Sequence, residues 1–414
     1  MKYCFSEENG KYSRNVLNVL IALRFPGIKS SWIRERYKND MTTEKLSKEI
    51  EKFKEEEINK LNKKIEEINK LNKKIEEINK LNKKIEEINK LNKKIEEINK
   101  LNKKIEEIKK FDFNNEMEEI GNLLDNSKEG IRYTAFGDED FPECRFERIE
   151  NKNDLPVFLA YEGDLKLLSK NNFNIAVIGI LEPTEEIKQL EKEILGEILK
   201  YDATIISGLA LGCDTIAHKS VSDQNCTIAI LPSTLDNILP KENRELASEI
   251  VRNKNGLLIS EYYKEAENKF EYINRYIKRD RLQALFSDMV ILTASYSEKD
   301  SKKNKKKDSG SRHAMGKAKD YGIKRAVMYD ETIFDDEKFN LNRELIAMKM
   351  SIAKLDEQVI MEFNKSDKSK DFKIITKRNV KFIIGSLKKW KEQISTEKPK
   401  IKGEQPSLPN LENL

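Results

Sequence analysis

From Ile58 to about Ile108 the apolar residues recur at steps of three, four and three within a tandem decad, INKLNKKIEE, giving Leu61, Ile65, Ile68, Leu71 and Ile75. Pairs such as Glu66 and Lys70 stand four residues apart in a helix-supporting arrangement, and neither glycine nor proline interrupts the run. The pattern predicts a single long helix, roughly 75–80 Å at ~1.5 Å per residue. The mean apolar spacing is about 3.3, below the 3.5 of a heptad, so the stripe drifts roughly 80° per repeat and a partner could follow it only in an overwound left-handed supercoil. The segment reads as a solvated or weakly self-associating spacer, with a coiled coil and disorder as the alternatives. Ahead of it, Tyr12 to about Lys48 reads as two or three short helices broken at Pro26-Gly27.

Beyond the repeat the period changes. Short, nearly continuous apolar runs alternate with amphipathic stretches: NIAVIGI (Asn174–Ile180), ATIISG (from Ala203), CTIAILP (from Cys226), GLLISEY (from Gly256), MVILTAS (from Met289) and RAVMYD (from Arg325) read as strands. Helices are expected between them, among them Glu185–Lys200, Asp214–Val221, EYINRYIKRDRLQALF and SRHAMGKAKDYG. Such alternation predicts an α/β fold with a Rossmann-like parallel sheet buried on both faces, with ligands bound beyond the carboxyl ends of its strands. The chain is expected to divide into a helical module (1–50), the decad-repeat helix (51–111), the sheet domain (112–335), a C-terminal helical region (336–395) and a disordered tail (396–414).

Composition narrows the function classes. The net charge of +5 on 414 residues is too small for a polycation, so any nucleic-acid surface has to be a local patch. Four cysteines without paired ligand spacing and only two histidines argue against a zinc site and a disulfide framework, and suit a reducing cytosol. The N-terminus lacks an apolar signal core and VLNVLIALRF is too short to span a bilayer, so a cytoplasmic protein is expected, with no cofactor and no metal.

Two stretches carry candidate chemistry. In SGLALGCDTIAH the strand ends in bare small residues, Ser207 to Gly212, just ahead of a helix. Small residues let backbone N–H groups approach an anion at a helix N-terminus, which makes the corner a candidate phosphate cradle. Its alternative is a tight turn, with Asp214 capping the helix and His218 packing on the sheet. In YIKRDR, Tyr276 stands beside Lys278, Arg279 and Arg281; a ring for stacking with cations for phosphates is what single-stranded nucleic acid requires, whereas a solvated basic face is the plain alternative. The lysine run from Lys302 to Lys307 falls on the same edge. In DSGSRH, Ser309, Ser311 and His313 are too close along the chain to form a catalytic relay, and Ser311 is expected to cap a helix. Neither G-x-G-x-x-G nor a P-loop occurs.

Taken in order, these stretches resemble the DprA/Smf family of DNA-processing proteins. LPVFLAYEGDLKLL, SGLALGCDTIAH, LDNILPKEN, LLISEY, YIKRDRLQALFSDMVILTAS and SGSRHAMGKAKDYG each match a family segment, together covering about Phe136 to Asp330. The resemblance implies a non-catalytic protein that binds single-stranded DNA in a basic pocket, forms homodimers, and helps load the RecA recombinase in natural transformation. By matching position it implies DNA contacts at Gly179, Ser207, Gly208, Tyr276, Lys278, Arg279, Arg281, Ser309 and Gly310, with Lys305 and Lys306 added from the lysine run. Asp214 and His218 are assigned to shaping the turn. The chain departs from the family where Ile180-Leu181 and Leu211 replace positions that include arginines, and where Asp280 replaces an asparagine. The rival reading is a nucleotide-sensing or nucleotide-cleaving protein of the same fold, for which Glu261 and Asp214 are the available acids.

Overall fold

The computed structural model describes residues 11–36, 42–79, 85–147, 149–253, 255–304, 310–351 and 355–396. They form two compact units, one of Met1–Asn126 with Ala135–Glu139 and Leu155–Phe158, the other of Ser127–Thr134, Asp140–Asp154 and Leu159–Leu414. The expected tail beyond Thr396 lies outside the described residues.

The first unit is helical: α1 (Arg14–Arg24), α2 (Ser30–Arg36), α3 (Thr43–Asn79), α4 (Ile85–Lys110) and α5 (Phe113–Asp125). The decads do not form the single helix expected. They make two legs, α3 and α4, that pack on each other, with Lys64 paired to Glu97 at 2.8 Å and Lys104 to Glu57 at 3.7 Å. Folding back gives part of the apolar stripe a partner: Leu61, Ile68, Ile105 and Ile108 are buried. The drift of the stripe shows in what is left over, since Leu71 and Ile95 remain 49% and 44% exposed. The base of the hairpin is fixed by edge-on aromatic contacts of Phe25 with Phe53 and Phe111, at 5.8 and 4.8 Å between centroids, and of Trp32 with Phe53 at 5.6 Å.

The second unit holds a nine-stranded sheet. Its strands are β1 (Arg132–Ala135), β2 (Phe158–Gly163), β3 (Asn174–Ile178), β4 (Thr204–Ser207), β5 (Thr227–Leu231), β6 (Leu257–Ser260), β7 (Met289–Leu292), β8 (Lys324–Met328) and β9 (Phe372–Ile375). Its helices are α6 (Glu185–Leu199), α7 (Cys213–Lys219), α8 (Arg244–Arg252), α9 (Lys269–Leu285), α10 (Glu298–Asn304), α11 (Ser311–Asp320), α12 (Asn340–Ala347), α13 (Glu357–Lys365) and α14 (Val380–Thr396). The strand order is β1-β2-β6-β5-β4-β3-β7-β8-β9, parallel from β6 through β9, with β2 antiparallel on β6. This is the Rossmann-like sheet expected, and its strand order reverses between β3 and β7, the kind of switch point at which open sheets of this class bind ligands beyond the carboxyl ends of their strands. Buried side chains of Ile205, Ile206, Ile228, Ile230, Val290 and Ile291 supply the central core. Within the segment read as a C-terminal helical region, FKII forms β9, too short a run for its period to distinguish strand from helix.

A charged node ties this C-terminal part to the sheet. Asp288, 5% exposed, pairs with Arg145 at 3.1 Å and with Lys391 of α14 at 2.5 Å, and accepts from the Asn174 backbone N–H at 2.9 Å. Removing the shared carboxylate would leave two buried cations facing each other. Asp288→Ala is expected to lose about 3–5 kcal/mol in urea unfolding; a loss under about 1 kcal/mol would show that the node does not hold α14.

Candidate nucleic-acid interface

The carboxyl edge of the sheet is assembled by one helix. α9 starts at Asn268, whose side chain accepts from Glu271 N at 2.9 Å, and runs with an inverted pattern. Arg275 and Arg279 are buried, 3% and 6% exposed, while Phe270 is 76%, Ile273 49% and Ile277 44% exposed. Each buried guanidinium has partners. Arg275 donates to Glu271 Oε1 at 2.7 Å and to the Lys264 carbonyl at 2.8 Å, and lies over the Tyr262 ring.

Arg279 runs onto the glycine corner after β4. A Cβ on Gly208 would stand 1.2 Å from Arg279 Nη1, so only a bare residue admits the arginine. Behind it Asp214 lies 3.9 Å away and accepts from the Gly208 and Ala210 backbone N–H groups at 3.1 and 3.3 Å. Gln283, with its amide oxygen turned inward, accepts from Arg279 Nη1 at 3.1 Å and from Gly208 N at 2.9 Å. The corner amides that the sequence offered as a candidate phosphate cradle are thus engaged by a carboxylate of the chain itself, Asp214, which shapes the turn. Burial pushes the Asp214 pKa up, with Arg279 and the two amides opposing the shift.

The neighbouring residue repeats the device. Asp280 is 6% exposed, pairs with Arg279 Nε at 3.3 Å, and sits so that a Cβ on Gly310 would come within 2.7 Å of its Oδ2. Gly310 has φ +75° and is the N-cap of α11, so Ser311 is not the cap expected; its hydroxyl donates to the Gly179 carbonyl at 3.4 Å instead. Gly179, Gly208 and Gly310 thus belong to one buried junction, closed by Arg279, Asp280 and Ser311.

The remaining candidates have distinct positions. Ser207 is buried and donates to the Val177 carbonyl at 2.7 Å. Tyr276 is half-buried, its hydroxyl 2.8 Å from that of Tyr272 and its ring 5.9 Å from the Arg279 guanidinium. Lys278 is exposed. Arg281 is held by Glu261 through two 2.6 Å bonds and donates from Nε to the Asp154 carbonyl at 2.8 Å. Lys305, Lys306 and Ser309 lie outside the described residues. The two acids available to the rival reading, Glu261 and Asp214, are both committed to arginines. His218 is buried, with Nδ1 2.7 Å from Thr227 Oγ1.

Two features were not read from the sequence. The ridge Phe270, Ile273, Ile277 has the i, i+3, i+7 spacing of a core-facing stripe, and that spacing concealed an exposed face. Glu191 lies on the apolar side of α6, fully buried, next to Cys213 and beneath the Gly179 corner, where a Cβ would meet Cys213 Sγ at 2.6 Å. Burial holds the Glu191 carboxyl well above the usual range.

The matched family model is that of DNA recombination-mediator protein A, over residues 132–364. Protein Smf of Borreliella burgdorferi is 26% identical over 165 residues, 39% of this chain and 49% of that protein. The DNA processing protein DprA of Bacillus subtilis is 29% identical over 36% of this chain and 50% of its own length, and that of Streptococcus pneumoniae 35% identical over 33% and 46%. The chain thus spans about half the length of the curated relatives it matches. A solved structure of DNA processing protein A from Helicobacter pylori is 29% identical, with a TM-score of 0.42 over 53% of this chain and 89% of that one.

The raised Glu191 carboxyl sets a pH dependence. An acid whose folded pKa lies above its unfolded value of about 4.3 contributes fully to stability at low pH, and the contribution falls as pH rises toward the folded pKa. Glu191→Gln, which keeps the neutral shape, is expected to gain on the natural chain by up to about 1.4 kcal/mol per pH unit above pH 5. Unfolding curves that stay parallel from pH 5 to 8 would show that the carboxyl ionises normally.

Proposed function

The chain belongs to the DNA recombination-mediator protein A family, and from that premise we propose that it binds single-stranded DNA along the carboxyl edge of its sheet. In this reading it protects the strand during natural transformation or recombination, acts as a homodimer, and helps load a RecA recombinase. It works as a binding protein with no catalytic step.

One observation carries the reading: the inverted α9. Its buried arginine locks the glycine junction, and that anchoring presents an apolar and aromatic ridge with exposed Lys278 beside it. Exposing a phenylalanine and two isoleucines along one helix face is unfavourable in water, and such a patch calls for a partner. Unpaired bases supply flat apolar faces and phosphates supply the counter-charge for lysine, whereas a duplex keeps its bases stacked. Bases lie on Phe270, Tyr276 and Ile277, and phosphates on Lys278 with Lys305 and Lys306. Gly179, Ser207, Gly208, Gly310, Arg279 and Arg281 form the platform that holds the ridge in place, and Asp214 and Asp280 face the buried Arg279. Leu181 and Leu211, both exposed, stand at the corners where the family pattern includes arginines, so phosphate contacts concentrate toward α9.

Binding of labelled oligonucleotides tests this. Phe270→Ala and Lys278→Ala are each expected to cost about 1–3 kcal/mol in single-strand affinity while leaving the melting temperature unchanged. The log–log salt slope should fall by about 0.7 for Lys278→Ala, a single phosphate contact on a single strand. Equal affinity for duplex and single strands, or full binding by both variants, would overturn the proposal. Asp280→Asn, which removes a negative charge beside Arg279, is expected to tighten binding several-fold; weaker binding at unchanged stability would mean that the carboxylate contacts the ligand favourably.

A further inference from the structure

The turn that leads from α6 into β4 packs on α14 and leaves a groove there. Tyr201 precedes β4 and the Gly208 corner follows it, so the two lie at opposite ends of that strand. Gly385 lets the Tyr201 ring lie against α14: a Cβ there would stand 3.2 Å from both Tyr201 Cε1 and the hydroxyl oxygen. The Tyr201 hydroxyl donates to the Lys381 carbonyl at 2.8 Å, and Lys388 Nζ donates to the Tyr201 carbonyl at 2.7 Å and to Asp202 Oδ2 at 2.9 Å. The groove so framed has a volume of about 280 Å³. That is just under the ~300–1,000 Å³ of pockets for drug-sized molecules, and leaves room for one ring system.

Its walls are aromatic and cationic. Lys381 and Phe382 precede Gly385 along the helix and Lys389 follows it, at steps of three or four residues that keep them on one face. Phe382 is 48% exposed, and the Lys381 ammonium lies 4.9 Å from its ring centroid. Lys388 is committed to Asp202, whereas Arg378, Lys381 and Lys389 are exposed and make no ion pair among the described residues. Glu392 is the one carboxylate in the lining. The family match ends at residue 364, ahead of every residue of α14.

We propose that this groove is a second site for single-stranded nucleic acid, apart from the carboxyl edge of the sheet. The exposed ring of Phe382 takes a base, and the unpaired lysines on successive turns take the phosphates on either side of it. Lys381 and Lys389 are eight residues apart, ~12 Å at ~1.5 Å per residue, which offers cations to more than one phosphate and suits a strand better than a single nucleotide. A duplex keeps its bases stacked on one another and presents no ring face to Phe382. A partner helix would need an apolar stripe, and among the described residues of α14 Phe382 is the only large apolar side chain that is exposed. The groove shares only its class of ligand with the carboxyl edge, and either site can fail without the other.

Anisotropy titrations of labelled oligo(dT) with the full chain test it, in a Phe270→Ala, Lys278→Ala background so that the carboxyl edge does not mask the groove. Adding Phe382→Ala is expected to weaken the remaining binding about 5–150-fold, the range for one lost stacked base. Adding Lys389→Ala should lower its log–log salt slope by about 0.7. Neither should move the melting temperature, because both side chains are exposed. A thiothymidine oligonucleotide should photo-cross-link, in the unsubstituted chain, to a peptide containing Phe382. Loss of all binding in the background variant, or residual binding that neither substitution changes, would sink the groove and leave the carboxyl edge standing. Competition by dTMP or by polyglutamate as strong as that by oligo(dT) would also overturn it, since the groove would then take a mononucleotide or read charge alone. If the background pair changes nothing while Phe382→Ala removes binding, the groove holds and the carboxyl-edge reading fails.

Discussion

The arginine seated on Gly208 is the contact around which the carboxyl edge is built. A guanidinium cannot be buried without partners, because removing a charge from water costs more than packing returns unless hydrogen bonds and an opposite charge replace the solvent. Asp214, Asp280 and Gln283 meet that requirement for Arg279, and each makes its own demand on the chain. Asp214 draws in the amides of the corner, which is why the turn is made of small residues. Asp280 lies against Gly310, which is why the next helix starts with a residue at positive φ.

The same contact turns α9 inside out. With arginines on the inner face, the apolar residues of its first half are left to the outside, opposite to the usual arrangement of a surface helix. The exposed ridge and the buried junction are therefore two consequences of one choice. The junction also carries no excess positive charge, since Asp214 and Asp280 both face the single Arg279. A polyanion gains little from such a centre, and exposed Lys278 at its margin offers the charge that the centre does not.

Away from this edge, the second unit depends on the Asp288 node, which makes α14 part of the sheet domain although the family match ends at residue 364. Glu191 beneath the Gly179 corner follows a different rule. Among the described residues no cation pairs with it, and burial holds its carboxyl well above the usual range beside a buried thiol that burial also pushes up. In the helical unit the controlling quantity is the apolar period, which is too short for a long regular seam and leaves Leu71 and Ile95 half-covered.

The strand–helix alternation, the glycine corners and the aromatic–cation helix were legible in the sequence because each is local: a period of two or 3.6, a bare turn, a run of like residues. Helicity of the decads was legible for the same reason. Their folding back was not, because reversal depends on contacts between residues 33 or 47 positions apart, such as Lys64 with Glu97 and Glu57 with Lys104. β9 was missed because four apolar residues do not distinguish a strand from a helix. The burial of Arg279, the pairing of Arg281 with Glu261, and the exposure of Phe270 and Ile273 also required the tertiary structure. Spacing along a helix tells which residues share a face. Only the elements packed against that helix decide which face is turned to water.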